Sequence, residues 1–264
     1  MQFLIQHTLS LLFCFHIFVL SAQKEVTPIQ KRTIGTDHFV GVDNFLSLYT
    51  IHQNIFYKSW NHQTWQFGDY TLGPISKVSI TNPLKILLFY HNLNTIVILD
   101  KYLNEIDRIN FNTSINFKNP AFVSLANDKS IWLFDNNTQQ LEIYDLETNE
   151  TLFATLPVNG VPIDSHCNFN FCWILTKEKI LQFNIYGNLL TEIENNYFEK
   201  IQIYRKGILV KTTNSIQYWS SSTKDFKILK LPKITVEHFY VTGEILYIYS
   251  NDTLYSYNLP DLLN

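Results

Sequence analysis

Residues 130–149 set a pattern that the rest of the chain repeats. Ile131, Trp132, Leu133 and Phe134 form a short apolar run, residues 135–139 are polar, and residues 141–146 alternate around Leu141, Ile143 and Leu146. An apolar run, a polar turn and an alternating run predict a β-hairpin. Weaker copies lie at residues 44–57, 84–100, 171–184, 207–219 and 244–258. Equivalent positions return about every 36 to 45 residues, the period of a propeller blade.

A further strand precedes most of these hairpins, as at residues 77–80, 121–125, 200–203 and 237–241, and another follows most of them, as at 105–109, 151–156, 189–193 and 226–229. Four antiparallel strands in each of six units predict an all-β, single-domain β-propeller. The last unit departs from the pattern. Only six residues follow Asn258, and Pro260 interrupts them, so an outer strand is not expected there. Residues 24–36, with Val26, Ile29 and Ile34, are expected to supply that strand and close the ring, which also removes an exposed sheet edge. The competing architectures are an open arc, a two-sheet sandwich, or a seventh blade drawn from residues 60–73, where 65–67 and 70–72 read as strand.

Composition agrees with this pattern. The 264 residues are 46% hydrophobic and 15% aromatic, enough for a substantial core and unlike a disordered chain. Ala is scarce, while Phe, Tyr, Ile, Thr and Asn are abundant, which suits strands joined by Asn-rich turns. The net charge of −3 comes with no Lys/Arg run, so a nucleic-acid partner is not expected.

Residues 9–20 are apolar and are followed by Ser21, Ala22, Gln23 and then the first charged residue, Lys24. A run this short predicts a signal peptide over 1–22, cut after Ala22, with the propeller over 23–264. An uncleaved anchor is the competing reading, because no Lys or Arg precedes the run. Phe13 before Cys14 excludes a lipobox. Export leaves Cys167 and Cys172 in Cys-Asn-Phe-Asn-Phe-Cys, where a closed hairpin would bring them within reach of a disulfide. Two free thiols are the alternative.

Linear enzymatic motifs are absent: there is no Gly-x-Ser-x-Gly elbow, no His-Glu-x-x-His and no phosphate-cradling glycine loop, and glycines number only eight. No cofactor or metal is expected. The candidate recognition surface is instead the set of polar hairpin turns, with His52, His91, Asp135, Asn136, Asn214 and Asp252, which a ring would place on one face around its channel mouth. Such turns are polar whatever they bind. Trp60 and Trp65, in a polar segment, form a second candidate, an aromatic platform for a sugar or a protein.

A hydrophobic strand, a polar turn and an alternating strand, repeated without a fixed signature, resemble the divergent bacterial propellers of the YncE, NHL and BamB-like kind. The Trp-Asp dipeptides of WD repeats, sialidase Asp boxes and the tryptophan-docking motifs of quinoprotein dehydrogenases are not present. The resemblance implies the fold alone; the predicted signal peptide implies a periplasmic or secreted protein, and the missing enzymatic motifs make a non-enzymatic scaffold that binds an envelope protein the expectation, with a BamB-like role as a fold-level analogy. Such a scaffold would be peripheral to the membrane at most and monomeric outside its complex. A propeller hydrolase or lyase with a channel-mouth metal, or a carbohydrate-binding module, is the alternative.

Overall fold

The computed structural model describes residues 26–114 and 116–263. The expected signal peptide, and Cys14 with it, lies outside the described residues. Strand β1 (Gln30–Thr33) comes first in the chain. The first blade then contains β2 (His38–Val42), β3 (Leu48–His52), β4 (Ile55–Trp60) and β5 (Gln63–Phe67). The second contains β6 (Lys77–Asn82), β7 (Lys85–Tyr90), β8 (Thr95–Asp100) and β9 (Glu105–Asn110), and the third β10 (Pro120–Leu125), β11 (Ser130–Asp135), β12 (Gln140–Asp145) and β13 (Thr151–Ala154). The fourth has β14 (Asp164–Cys167), β15 (Phe171–Leu175), β16 (Lys179–Asn184) and β17 (Leu189–Glu194). The fifth has β18 (Lys200–Tyr204), β19 (Gly207–Lys211), β20 (Ile216–Ser220) and β21 (Phe226–Ile228). The sixth takes β22 (His238–Thr242), β23 (Ile245–Ser250) and β24 (Thr253–Asn258) from the end of the chain, and its outer strand is β1.

The fold is thus a six-bladed propeller of four-stranded antiparallel sheets, and the ring closes as expected, by Gln30–Thr33 pairing with Thr253–Ser256. Polar contacts add to this closure, with Tyr249 donating its hydroxyl to the Thr36 carbonyl at 2.9 Å and Thr242 to that of Val42. After Asn258 the chain turns into a short helix, α1 (Leu259–Leu263), which buries Leu259 and Leu262 completely.

A blade packs another blade on each face, so its middle strands are apolar on both sides. Every residue of β11 is buried. Among the described residues the core therefore divides into six clusters, one at each blade junction. Trp132, Trp173 and Trp219 belong to these wedges; Trp173 and Trp219 meet edge to face with ring centres 5.8 Å apart, a favoured aromatic geometry. Asparagine does the work that glycine does elsewhere. The turns Gln53-Asn54, Asn61-His62 and Asn251-Asp252 hold both central residues at positive φ, the geometry that matches strand twist in a two-residue hairpin.

Three sequence expectations need correction. Residues 60–73 hold no seventh blade: Gln63–Phe67 is the outer strand of the first blade, and Tyr70–Leu72 is a 3-10 turn capped by the Asp69 carboxylate. Asn44, Phe45 and Leu46 form a turn instead of a strand, because Asp43 accepts hydrogen bonds from the backbone of Phe45 and Ser47 and from the Tyr49 hydroxyl. The first strands of the first and fourth blades, His38–Val42 and Asp164–Cys167, are absent from the sequence-based set of strands.

Candidate functional site

The first strand of every blade lies innermost, and successive inner strands pack around a central channel. Their opening residues, in ring order, are His38, Lys77, Pro120, Asp164, Lys200 and His238. Five of these six are titratable, although the strands behind them are largely apolar. All five line one cavity of about 290 Å³, whose deeper wall includes Ser79, Ser124, His166, Gln202 and Tyr240.

Asp164 is the electrostatic centre of this mouth. Its Oδ1 accepts a hydrogen bond from the Lys77 ammonium at 2.9 Å, Oδ2 accepts one from the Ile201 backbone at 3.0 Å, and the Lys200 ammonium stands 3.9 Å away. Burial alone would raise the carboxyl, yet Lys77 and Lys200 hold it below the ordinary aspartate value. Lys77 also donates to the Ser165 carbonyl at 2.9 Å. Burial, reinforced by Lys77, pushes the His166 imidazole down to about 4. Its Nδ1 accepts from the Ile203 backbone at 3.4 Å, which leaves the ring proton on Nε2. His238 is also lowered, by burial and then by its neighbour His38, whose ring centre lies 5.8 Å away.

The hairpin turns lie at this same end, because each is tied to the segment that leads into its own inner strand. His52 pairs with Asp37 at 3.1 Å, the His91 backbone donates to Ser76, the Asn136 backbone donates to the Asn119 carbonyl, and the Asn251 backbone donates to Glu237. The His91 ring meets the Pro120 carbonyl of the next blade, so His52 and His91 engage separate partners. Asp135 is buried and accepts from the backbone of Asn137. The Asn214 backbone donates to Thr212, and Asp252 accepts from the Tyr249 hydroxyl at 3.0 Å. These side chains build turns around the mouth, whereas the groups that converge are those of the inner strands. Among the described residues no three or more His, Cys, Asp or Glu side chains are grouped to hold a metal ion.

Trp60 and Trp65 flank the turn at the opposite end of the first blade. Trp60 is exposed and donates its indole N–H to the Phe45 carbonyl, while Trp65 is half-buried against the core and meets Tyr102. Cys167 and Cys172 face each other across β14 and β15 and form the expected disulfide, with Cα atoms 4.0 Å apart. Such a bond belongs to an oxidising, non-cytoplasmic environment.

Sequence reading recognised the strands that open at Lys77, Lys200 and His238 but not the shared register of their first residues. That register was the available signal: a charged or imidazole side chain immediately before an apolar alternation. Around the mouth, the segments joining blades one to five carry exposed apolar side chains in an arc: Tyr70 (72% exposed), Phe117 (52%), Leu156 (87%), Ile163 (41%) and Tyr197 (92%).

At the level of sequence the chain matches no protein-family profile and no curated protein. Solved structures share its fold. The WD40 domain of Pan2 from Neurospora crassa is 12% identical with a TM-score of 0.59, covering 84% of this chain and 74% of that one. A chain of the mitotic checkpoint complex is 11% identical at 0.59, covering 97% and 99%. Virginiamycin B lyase from Staphylococcus aureus, in a catalytically inactive form with quinupristin, is 11% identical at 0.58, covering 87% and 98%. At such identities the likeness is one of fold: the chain is similar to WD40-type and lyase propellers in architecture.

Proposed function

We propose that this chain is an exported, non-enzymatic propeller that binds a protein partner in the bacterial cell envelope through the face around the channel mouth. The observation that carries this reading is the apolar arc of Tyr70, Phe117, Leu156, Ile163 and Tyr197. Large apolar and tyrosine side chains left in water on a rigid frame are what a protein interface buries. Their segments are tied to hairpin turns by hydrogen bonds, so little conformational freedom is lost on docking. One structural neighbour is itself a chain of the mitotic checkpoint complex, and the disulfide suits the export expected from the apolar segment over residues 9–20. No helix among the described residues is long and apolar enough to cross a membrane.

Cross-linked affinity purification of the mature chain from its native envelope tests the reading. One stoichiometric envelope protein is expected, and it should be lost when Tyr70, Leu156 and Tyr197 are replaced together by serine while the fold is retained. A clean monomer carrying a tightly bound metal would overturn the reading and favour a channel-mouth hydrolase or lyase.

A further inference from the structure

The polar groups lining the channel divide into two kinds. Most are satisfied by one another: Ser79 pairs with Ser124, both ends of the Gln202 amide bond backbone of β22, Thr81 donates to the Cys167 carbonyl, and Asp164 is taken up by Lys77 and Ile201. The remainder are rich in donors. Lys200 makes no hydrogen bond from its ammonium among the described residues, only the 3.9 Å ion pair with Asp164, the His166 Nε2–H has no acceptor there, and the rings of His38 and His238 pack against other rings and make no hydrogen bond there.

Charge points the same way. With the histidines neutral, the lining holds two ammoniums and one carboxylate, leaving one positive charge. Three nearby acids keep their charge, with oxygens bonded towards the hairpin turns: Asp37 with His52 and Gln53, Glu199 with Lys211 and Thr213, and Glu237 with the Asn251 backbone, so the excess positive charge belongs to the groups that face the cavity. A cavity of about 290 Å³ is at the small end for ligand sites and admits a short organic acid or one amino-acid side chain.

We propose that the channel mouth is a carboxylate-binding site, in which Lys200 supplies the charge and the imidazole N–H groups of the lining histidines supply further hydrogen bonds. A single carboxylate matches the one excess charge among the groups that face the cavity and brings acceptors to a wall of donors. The carboxylate belongs either to a free small acid or to an acidic side chain inserted by a docked protein. The site does not depend on the protein-binding reading, since a free acid can occupy it with no partner present.

Calorimetric titration of the full mature chain at neutral pH tests the site, using butyrate and succinate against butyramide and succinamide. In parallel, a capped Gly-Glu-Gly peptide is titrated against its Gly-Gln-Gly counterpart. The acids are expected to bind and the amides not to. Lys200→Gln should weaken binding roughly 10- to 100-fold, the range for a hydrogen bond to a charged group, and Lys200→Arg should retain most of it. Lys200 is exposed, so both variants should fold, and circular dichroism checks this. Binding of the small acids but not the peptide identifies a free acid as ligand. Peptide binding equal to or tighter than theirs identifies an inserted side chain. Equal binding of acids and amides, no binding of any acid or of the glutamate peptide, or unchanged affinity in Lys200→Gln would overturn the proposal.

Discussion

Lys77 and Asp164 open the inner strands of the second and fourth blades, yet the Lys77 ammonium reaches past the third blade to bond the Asp164 carboxylate at 2.9 Å. Pro120, which opens the inner strand between them, has no polar side chain to compete for either group. The pair thus links non-adjacent blades across the channel. Removing Asp164 leaves Lys77 without its counter-charge, though water reaches it and tempers the loss, and removing Lys77 leaves the enclosed Asp164 with only the more distant Lys200. Asp164→Asn should cost about 2 kcal/mol. Urea denaturation of Asp164→Asn, Lys77→Gln and the double variant checks this, with the double variant losing less than the two singles combined.

His166 makes stability depend on pH in a defined window. Its folded value is pushed from 6.5 down to about 4, so between those values the unfolded chain takes up a proton that the folded chain refuses. Stability should be complete above 6.5 and fall by up to about 3 kcal/mol as pH drops through the window. His166→Gln should reduce that slope, leaving the contribution of His238, which burial also lowers. The lowered carboxyl of Asp164 adds a separate loss further into acid, below the ordinary aspartate range, which His166→Gln should leave in place.

Gly207 begins β19, and a Cβ there would stand 1.9 Å from the Trp219 carbonyl oxygen. No rotamer relieves a clash with backbone in the neighbouring strand. Gly207→Ala should destabilise the domain by about 3 kcal/mol, read as a fall in Tm of roughly 6–12 °C for a chain of this size. Gly35→Ala, where the added carbon meets nothing within 4 Å, should be close to neutral in the same experiment.

The Cys167–Cys172 bridge closes a loop of only a few residues, with a sequence separation of 5. A loop so short gives about 2 kcal/mol in the chain-entropy view. Thermal melts with and without reductant should differ by a few degrees, and the reduced protein should keep its far-ultraviolet spectrum, because the six apolar wedges hold the blades.

Much of this architecture was legible in the sequence because a middle strand buried on both faces reads as a dense apolar run. Trp132 and Ile174 sit in such runs, and so did the count of six. Inner strands were harder to see. His38–Val42 is broken by Gly41, which packs under the Tyr240 ring, and Asp164–Cys167 contains no branched aliphatic residue at all. The channel mouth was less legible still. Lys77, Asp164 and Lys200 are far apart in the chain and carry no spacing rule, so only the ring brings them together. Polar turn residues such as Asp135 and Asn136 drew attention for their chemistry, but that chemistry serves the turns they build.

Closure by β1 also sets the order in which the molecule can be completed. Gln30–Thr33 must wait for Thr253–Asn258, made after every other strand of the ring, before their ladder can form. During synthesis, five blades can assemble while the sixth still lacks its third and outer strands. The seam contacts Tyr249 to Thr36 and Thr242 to Val42, separated by 213 and 200 residues, are then the last to form and contribute long-range order that slows folding. A chain stalled a few residues short of Asn258 would hold an unpaired edge and an open wedge at Phe39, Val42 and Tyr249, so this protein is most vulnerable to misassembly just before its final strand is released.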